Sequence, residues 1–186
     1  MLKEEISTGA RSCTLIRAIC DLPEKNVKNV LKKKAAAIVD TLIKKELTIC
    51  SAESCTGGLF AKTMTDISGV SQIYPGGVVS YANSVKEKVL GVDPRILASV
   101  GAVSEETARA MAEGVRALLE ADIGVSATGI AGPNSDGTDK PVGLVYIALA
   151  DKDGTTVRKL NLSGGRDDIR TATVESIFEL IEEKYK

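Results

Sequence analysis

The stretch from Leu47 to Asp66 most constrains the fold, because it contains a strand pattern, a glycine-rich turn and a helix pattern in immediate succession. Residues 47–51 (LTICS) have the short, β-branched character of a buried strand, and residues 59–66 have a helical pattern. The turn between them, AESCTGG, exposes the first backbone N–H groups of the helix, which lack intrahelical partners and carry partial positive charge. The sequence therefore predicts an oxyanion or phosphate site at this turn, with Ser54 beside it.

The remaining chain supplies the other elements of an α/β fold. Apolar residues at spacings of three and four predict an amphipathic helix over residues 26–45, and a hairpin signal at residues 151–154 predicts an antiparallel pair of strands. The order helix, strand, helix, strand, helices, strand, hairpin, helix predicts one domain whose mixed sheet is covered on both faces. We expect residues 1–25 to be an amino-terminal extension and residues 26–186 to be the domain.

Composition excludes several classes of function. The 24 basic and 25 acidic residues give a net charge of −1 without a sustained basic stripe, so nucleic-acid binding is not expected. No apolar run approaches the ~20 residues that span a bilayer, and no signal-peptide core is present, so we expect no membrane contact and a cytoplasmic location. The four unevenly spaced cysteines favour reduced thiols over a disulfide framework or a zinc site.

The absence of histidine from the chain limits its chemistry most sharply. It excludes a Ser-His-Asp or Cys-His device and imidazole metal ligands within this chain, so a general base has to be Lys, Tyr, Asp or Glu. Asn83 fits a helix N-cap, which puts Lys86 in the first helical turn, where the helix dipole disfavours a cation and tends to lower the pKa of the lysine. Serine with such a lysine is an alternative to the histidine triad. The other interpretation of Lys86 is a surface lysine in contact with Glu87.

A second glycine-rich loop follows the strand predicted at residues 122–128, a position where α/β folds hold ligands. Its sequence, TGIAGP at residues 128–133, lacks both the GxGxxG dinucleotide fingerprint and the GxxxxGK(S/T) phosphate loop. Neither a Rossmann cofactor nor a nucleoside triphosphatase is therefore predicted. Near the carboxyl end, Arg166 and Arg170 lie one helical turn apart and could reach an anionic ligand or a subunit interface. Pairing with Asp167 or other local acidic residues is the interpretation that we favour.

Several separate blocks, in one order, resemble the carboxy-terminal domain of the CinA family, whose members include nicotinamide-nucleotide amidases. The blocks are AESCTGG at residues 52–58, GGVVSYANSVK at 76–86, GAVSEETARAMAEG at 101–114, TGIAGP at 128–133 and KPVG at 140–143. The resemblance runs from about Leu47 to the end of the chain. It implies a three-layer α/β/α sandwich, in a standalone form of a domain that larger family members carry together with an additional amino-terminal domain.

The resemblance implies hydrolysis of nicotinamide mononucleotide to nicotinate mononucleotide and ammonia, without a metal or cofactor. Ser54 would attack the amide carbon, Lys86 would take the hydroxyl proton, and Tyr81 would donate to or orient the leaving ammonia. Backbone N–H groups around Thr56, Gly57 and Gly58 would hold the oxyanion, and the loop at residues 128–132 would contact the nucleotide. The predicted substrate-binding residues are Glu53, Thr56, Gly57, Gly58, Asn83, Thr128, Gly129 and Gly132.

Alternative roles stay open for several residues and for the function. Cys55 is intrinsically the better nucleophile, but without histidine its thiolate would depend on the helix terminus or a lysine, so we place it second to Ser54. Glu53 could orient Lys86 or cap the turn, Ser54 could be a helix cap, and Tyr81 a core or interface aromatic. The competing function is a non-catalytic nucleotide-binding or regulatory subunit with the same fold, and a third is an amidase for another carboxamide. A homodimer is the expected assembly.

Overall fold

The computed structural model describes residues 24–186, which form a five-stranded sheet with helices on both faces. The extension predicted for residues 1–25 lies outside the described residues, except for its last two residues, which begin the first helix. In chain order the elements are α1 (Glu24–Lys45), β1 (Ile49–Glu53), α2 (Leu59–Thr65), a 3-10 turn (Val70–Gln72), β2 (Gly76–Val79), α3 (Asn83–Leu90), α4 (Pro94–Ser99), α5 (Glu105–Leu118), β3 (Ile123–Gly129), β4 (Leu144–Asp151), β5 (Gly154–Asn161) and α6 (Arg166–Tyr185).

The sheet has the strand order β2-β1-β3-β4-β5 and is mixed. β1 is parallel to both of its neighbours, with Ala52 opposite Val78 of β2 and Ser126 of β3. β3 pairs with β4, and β4 with β5, in antiparallel fashion. The predicted mixed sheet and the predicted hairpin are confirmed. Because β1, β2 and β3 are parallel, the residues that follow them gather at one edge of the sheet, where α/β proteins bind ligands.

Apolar side chains attach the helices to both faces of the sheet. On one face α1, α2 and α6 pack through fully buried side chains that include Leu42, Phe60 and Phe178. On the other face α5 packs over the sheet through Met111 and Val115, and α3 and α4 pack on α5. The three-layer α/β/α sandwich is therefore confirmed. No helix between residues 24 and 186 combines the length and the apolar character that crossing a membrane requires.

The first strand lies two residues later than predicted, at Ile49–Glu53 instead of residues 47–51. Leu47 lies just past the end of α1, where its backbone N–H still donates to the helix carbonyl of Leu42 at 3.0 Å. At the other end of the strand, Glu53 pairs with Val79 of β2. The strand thus includes the start of AESCTGG, and the turn to α2 begins only at Ser54.

The helix N-cap predicted at Asn83 is wrong. The residue at the N-cap position of α3 is Ala82, which has no side-chain cap hydrogen bond, and Asn83 is the first helical residue. β2 ends at Val79, four residues before α3 begins. Lys86 nevertheless lies one turn into the helix, since its backbone N–H donates to the Ala82 carbonyl at 3.3 Å.

Candidate active site

The ends of the three parallel strands line a cavity of about 410 Å³. The predicted site residues that line it are Ser54, Tyr81, Asn83, Lys86, Thr128 and Gly129. It is also lined by Cys55, by Arg166 and by Asp136 and Thr138 of the loop after β3. Five other predicted residues are not part of its lining, namely Glu53, Thr56, Gly57, Gly58 and Gly132. All three predicted catalytic residues therefore line the cavity, whereas only three of the eight predicted binding residues do.

Ser54 and Lys86 form a buried pair in this cavity. Lys86 Nζ lies 3.1 Å from Ser54 Oγ. Lys86 is 1% exposed and Ser54 is 9% exposed. Lys86 reaches Ser54 because α3 follows β2 directly and β2 lies beside β1. Nζ also lies 2.6 Å from the carbonyl oxygen of Ser80 and 3.4 Å from that of Tyr81. Among the side chains that the structure describes, residues 29–186, no carboxylate forms an ion pair with Lys86.

The burial of Lys86 disfavours its charged form relative to an exposed lysine. Burial lowers the pKa of Lys86 from its ordinary value of 10.5, because the ammonium loses its hydration, and the smaller effect of Cys55 acts in the opposite direction. A neutral amine has two N–H donors and one lone pair. The carbonyls of Ser80 and Tyr81 can take the two donors, which leaves the lone pair to accept the hydroxyl proton of Ser54. This is the arrangement that a lysine base and a serine nucleophile require.

Glu53 caps helix α2 and does not contact Lys86. Its carboxylate accepts hydrogen bonds from the backbone N–H groups of Gly58 at 3.0 Å, Phe60 at 3.1 Å and Ala61 at 2.9 Å. The residue is only 2% exposed. Of the two roles left open by the sequence, the structure places Glu53 in the capping role. The predicted contact between Glu53 and the substrate is corrected accordingly, because both carboxylate oxygens of Glu53 accept hydrogen bonds at the start of α2.

The predicted anion cradle at the start of α2 is occupied by that carboxylate. The Gly58 N–H donates to Glu53, and the Gly57 N–H donates to the Ser54 carbonyl at 3.2 Å. Neither glycine therefore offers a free donor, and the prediction for this pair was wrong. Their contribution is conformational, since both have a positive φ, 60° at Gly57 and 93° at Gly58, which allows the chain to turn sharply into α2.

The free donors of the turn are the backbone N–H groups of Cys55 and Thr56, neither of which has an acceptor among the described residues. Cys55 directly follows Ser54 and lines the cavity. The N–H of the residue after the nucleophile is a common oxyanion donor in serine hydrolases. The hydroxyl of Thr56 is buried and likewise has no hydrogen-bond partner in the described part of the chain. Thr56 thus stays a candidate oxyanion donor as predicted, and Cys55 takes the place of Gly57 and Gly58.

The thiol of Cys55 is poorly suited to nucleophilic attack. Burial raises the pKa of Cys55 to about 12, although the backbone N–H groups of Cys55 and Thr56 partly oppose the effect. Cys50 is also a free buried thiol, and burial raises its pKa to about 12. Both thiols stay protonated near neutral pH, which favours Ser54 as the nucleophile. No group of three or more His, Cys, Asp or Glu side chains in the described part of the chain could hold a metal ion.

Tyr81 and Arg166 contact each other at an exposed part of the cavity. Tyr81 is 64% exposed, and its hydroxyl lies 3.4 Å from Arg166 Nη2. Arg166 Nη1 donates to the carbonyl of Gly132 at 2.8 Å, and no carboxylate between residues 29 and 186 forms an ion pair with Arg166. The pairing predicted with Asp167 occurs for Arg170, at 3.3 Å, but not for Arg166. The charge of Arg166 is therefore available to an anionic ligand.

The end of β3 and the loop after it form another part of the lining. The Thr128 hydroxyl donates to the Ala102 carbonyl at 2.6 Å, so it also holds the segment before α5. Gly129 is packed so tightly that a Cβ there would come within 2.7 Å of a backbone carbonyl oxygen. Sequence reasoning missed Asp136 and Thr138. Their position in a polar, glycine-containing loop after a strand end is the signal that could have found them.

Comparison with known proteins decides the family. The family model described as the CinA C-terminal domain matches residues 31–185. The chain belongs to the CinA family. This CinA domain is 51% identical over 144 residues to a protein of Caldanaerobacter subterraneus subsp. tengcongensis that is named as competence-damage inducible. It is 48% identical over 143 residues to a CinA-like protein of Geobacter sulfurreducens. Each match covers 77% of this chain and 35% of the relative, so the chain spans about a third of the length of these curated relatives.

Solved structures of the family share the fold of this CinA domain. The competence/damage inducible protein CihA of Agrobacterium tumefaciens has a TM-score of 0.79 at 37% identity, over 82% of this chain and 94% of that chain. A CinA superfamily protein of Klebsiella pneumoniae has a TM-score of 0.81 at 27% identity, over 83% of this chain and 97% of that chain. These matches confirm the resemblance seen in the sequence blocks.

Proposed function

We propose that this CinA domain is a serine amidase that hydrolyses nicotinamide mononucleotide to nicotinate mononucleotide and ammonia. The observation that carries the proposal is the buried pair of Ser54 and Lys86, with 3.1 Å between hydroxyl and amine and two backbone carbonyls beside the amine. The sequence has no histidine, and the titratable side chain that contacts Ser54 is a lysine whose pKa is lowered by burial.

In the first half of the reaction, Ser54 Oγ forms a bond to the amide carbon while its proton passes to Lys86 Nζ. The carbonyl oxygen becomes negatively charged and accepts a hydrogen bond from the Cys55 backbone N–H. Lys86 then gives the proton to the departing nitrogen, the C–N bond breaks and ammonia leaves. Tyr81, which also lines the cavity, would orient the departing group. The product of this half is an ester between the nicotinoyl group and Ser54.

In the second half of the reaction, a water molecule attacks the ester carbon and gives a proton to Lys86. The bond between that carbon and Ser54 Oγ breaks, and Lys86 returns the proton to the serine oxygen. Nicotinate mononucleotide is released, and the enzyme regains its starting protonation state. The same oxyanion donor acts in both halves, since each passes through a tetrahedral intermediate.

The choice of substrate rests on the resemblance to nicotinamide-nucleotide amidases, and two features of the cavity support it. Its volume of about 410 Å³ lies in the usual range for small-molecule sites, roughly 300–1,000 Å³. Arg166 supplies a guanidinium, without a carboxylate partner in the described residues, that can bind a phosphoryl group through two N–H donors. The names of the relatives describe competence and damage induction and specify no reaction.

Ammonia release from nicotinamide mononucleotide, with chromatographic detection of nicotinate mononucleotide, tests the proposal. We expect equal amounts of both products with the wild-type protein and none with Ser54→Ala. Ser71→Ala is the matched control, because Ser71 is exposed and lies outside the cavity lining. Saturable binding without product would support a non-catalytic nucleotide-binding subunit instead. Turnover of another member of a carboxamide panel, and not of the mononucleotide, would reassign the substrate.

A further inference from the structure

Arg170 directs its guanidinium at the backbone of the turn that carries Ser54. Its Nε and Nη2 both donate to the carbonyl oxygen of Thr56, at 3.1 and 2.9 Å. The remaining contact, from Nη1 to Asp167 at 3.3 Å, involves a carboxylate side chain that is 93% exposed, and such surface pairs contribute little. The main contact of Arg170 therefore joins α6 to one peptide group of the turn, 114 residues away in the sequence.

That peptide group is linked to the candidate oxyanion donor by one further hydrogen bond. The Thr56 carbonyl and the Gly57 N–H belong to the same planar peptide, and the Gly57 N–H donates to the Ser54 carbonyl at 3.2 Å. The Ser54 carbonyl in turn shares a peptide plane with the Cys55 N–H. In a trans peptide the oxygen and the N–H point to opposite sides, so a fixed Ser54 carbonyl also fixes the direction of the Cys55 N–H.

The turn needs such a restraint because it contains glycine. Gly57 has a φ of 60°, and glycine gives the adjoining peptide groups more conformational freedom than any other residue. A bidentate contact from a charged guanidinium is the strong kind of hydrogen bond, roughly twice as strong as a neutral one. The Glu53 carboxylate holds the next part of the turn, at the Gly58 N–H. Arg170 thus restrains the segment that this cap does not reach.

We propose that Arg170 is a positioning residue, which acts through the Thr56 carbonyl and the Gly57 N–H to hold the Cys55 N–H in the direction that binds the oxyanion formed at Ser54. The inference rests on the proposed function, because it assumes that Ser54 is a nucleophile. It predicts a defect in the reaction step rather than in substrate binding, since Arg170 does not line the cavity. A residue that only attached α6 to the turn would affect folding stability without that selectivity.

The test uses a fluorophosphonate probe that contains no nucleotide. Ser54 Oγ forms a bond to phosphorus, the P–F bond breaks, fluoride leaves and the hydroxyl proton passes to Lys86, while the phosphoryl oxygen occupies the oxyanion position. The labelling rate of Arg170→Met is expected to fall by about 10- to 100-fold, part of the effect of losing an oxyanion donor. Arg170→Lys keeps one charged donor and should have an intermediate rate. Arg158→Met is the matched control, because Arg158 is similarly exposed and pairs with Glu183 on another part of the surface.

The same variants are assayed with nicotinamide mononucleotide, where kcat should fall with KM unchanged, and by urea unfolding. A folded Arg170→Met protein with the labelling rate and the kcat of the wild type would overturn the inference. Equal losses of labelling rate and kcat in Arg158→Met would overturn it as well. If Arg170→Met does not fold, the Arg170→Lys variant provides the test. An intermediate labelling rate in that variant supports the inference, and a wild-type labelling rate overturns it. Wild-type protein that is labelled at Ser54 but releases no ammonia would refute the substrate and leave the labelling test of Arg170 valid. Absence of both labelling and turnover would overturn the two proposals together.

Discussion

Replacing Lys86 with methionine tests both the base and the effect of its burial. Methionine keeps much of the side-chain length and lacks the amine, so we expect a folded protein that binds the mononucleotide while kcat falls by at least about 100-fold, the lower end of a general-base contribution. Lys86→Arg should be almost as defective, because a guanidinium stays protonated. Lys88→Met is the matched control, since Lys88 is exposed on the same helix and lies outside the cavity lining.

The same substitution has an expected signature in the pH dependence of stability. Burial lowers the folded-state pKa of Lys86 below 10.5, so in the window between that pKa and 10.5 the unfolded chain binds more protons than the folded chain. The free energy of unfolding of the wild type therefore rises with pH across the window, with a limiting slope of about 1.4 kcal/mol per pH unit. Below the folded-state pKa the lysine is charged in both states, and the full penalty for burying it applies.

Lys86→Met removes this titration, so its free energy of unfolding should lack the rise. The substitution also leaves the Ser80 carbonyl without its donor at 2.6 Å, a loss of about 1–3 kcal/mol that does not depend on pH. For this reason the difference in slope, and not the absolute difference in stability, measures the buried lysine. Urea unfolding from neutral pH to pH 10.5, followed by circular dichroism, gives both slopes, with Lys88→Met as reference.

Wild-type turnover should increase with pH through one ionisation whose midpoint lies below 10.5, the ordinary value for a lysine. Two results would refute the assignment of the base. One is a folded Lys86→Met or Lys86→Arg protein with near wild-type kcat. The other is a pair of parallel stability curves for wild type and Lys86→Met, which would show that folding does not shift the pKa of this lysine. Tyr81 would then be the next candidate for the base.

Cys55→Ser should keep most of the activity because the thiol stays protonated, and a loss as large as that of the nucleophile variant would reassign the attack to sulfur. Treatment with a chelator followed by dialysis should leave turnover unchanged, whereas a loss that zinc or magnesium restores would show a metal requirement. Glu53→Ala should lower the free energy of unfolding by at least about 2 kcal/mol, since three backbone N–H groups lose a charged acceptor; an unchanged urea midpoint would contradict the cap. Gly114→Ala should lower the melting temperature because its Cβ would overlap the Leu90 carbonyl oxygen, and Gly165→Ala, with no contact closer than 3.5 Å, should lower it far less.

Local patterns were sufficient to predict the class of fold, and together with the resemblance to the CinA family they indicated the main catalytic candidates. The succession of strand, glycine-rich turn and helix around Ser54, and the hairpin at residues 151–154, follow from side-chain periodicity and turn chemistry, which are properties of neighbouring residues. The absence of histidine directed attention to Lys86 before any contact was known. These inferences were possible because composition and short-range spacing contain that information directly.

Only the tertiary structure decided which groups meet and which donors remain free. Lys86 contacts Ser54 across 32 positions because β1 and β2 are adjacent, and it loses its hydration because the layers close over it. Glu53 occupies the helix terminus that the sequence assigned to an anion, since a nearby carboxylate competes for the same N–H groups. Arg166 and Arg170 lie one helical turn apart, yet one lines the cavity and the other binds the Thr56 carbonyl. Burial and competition for hydrogen-bond partners depend on residues distant in sequence, and no local pattern specifies them.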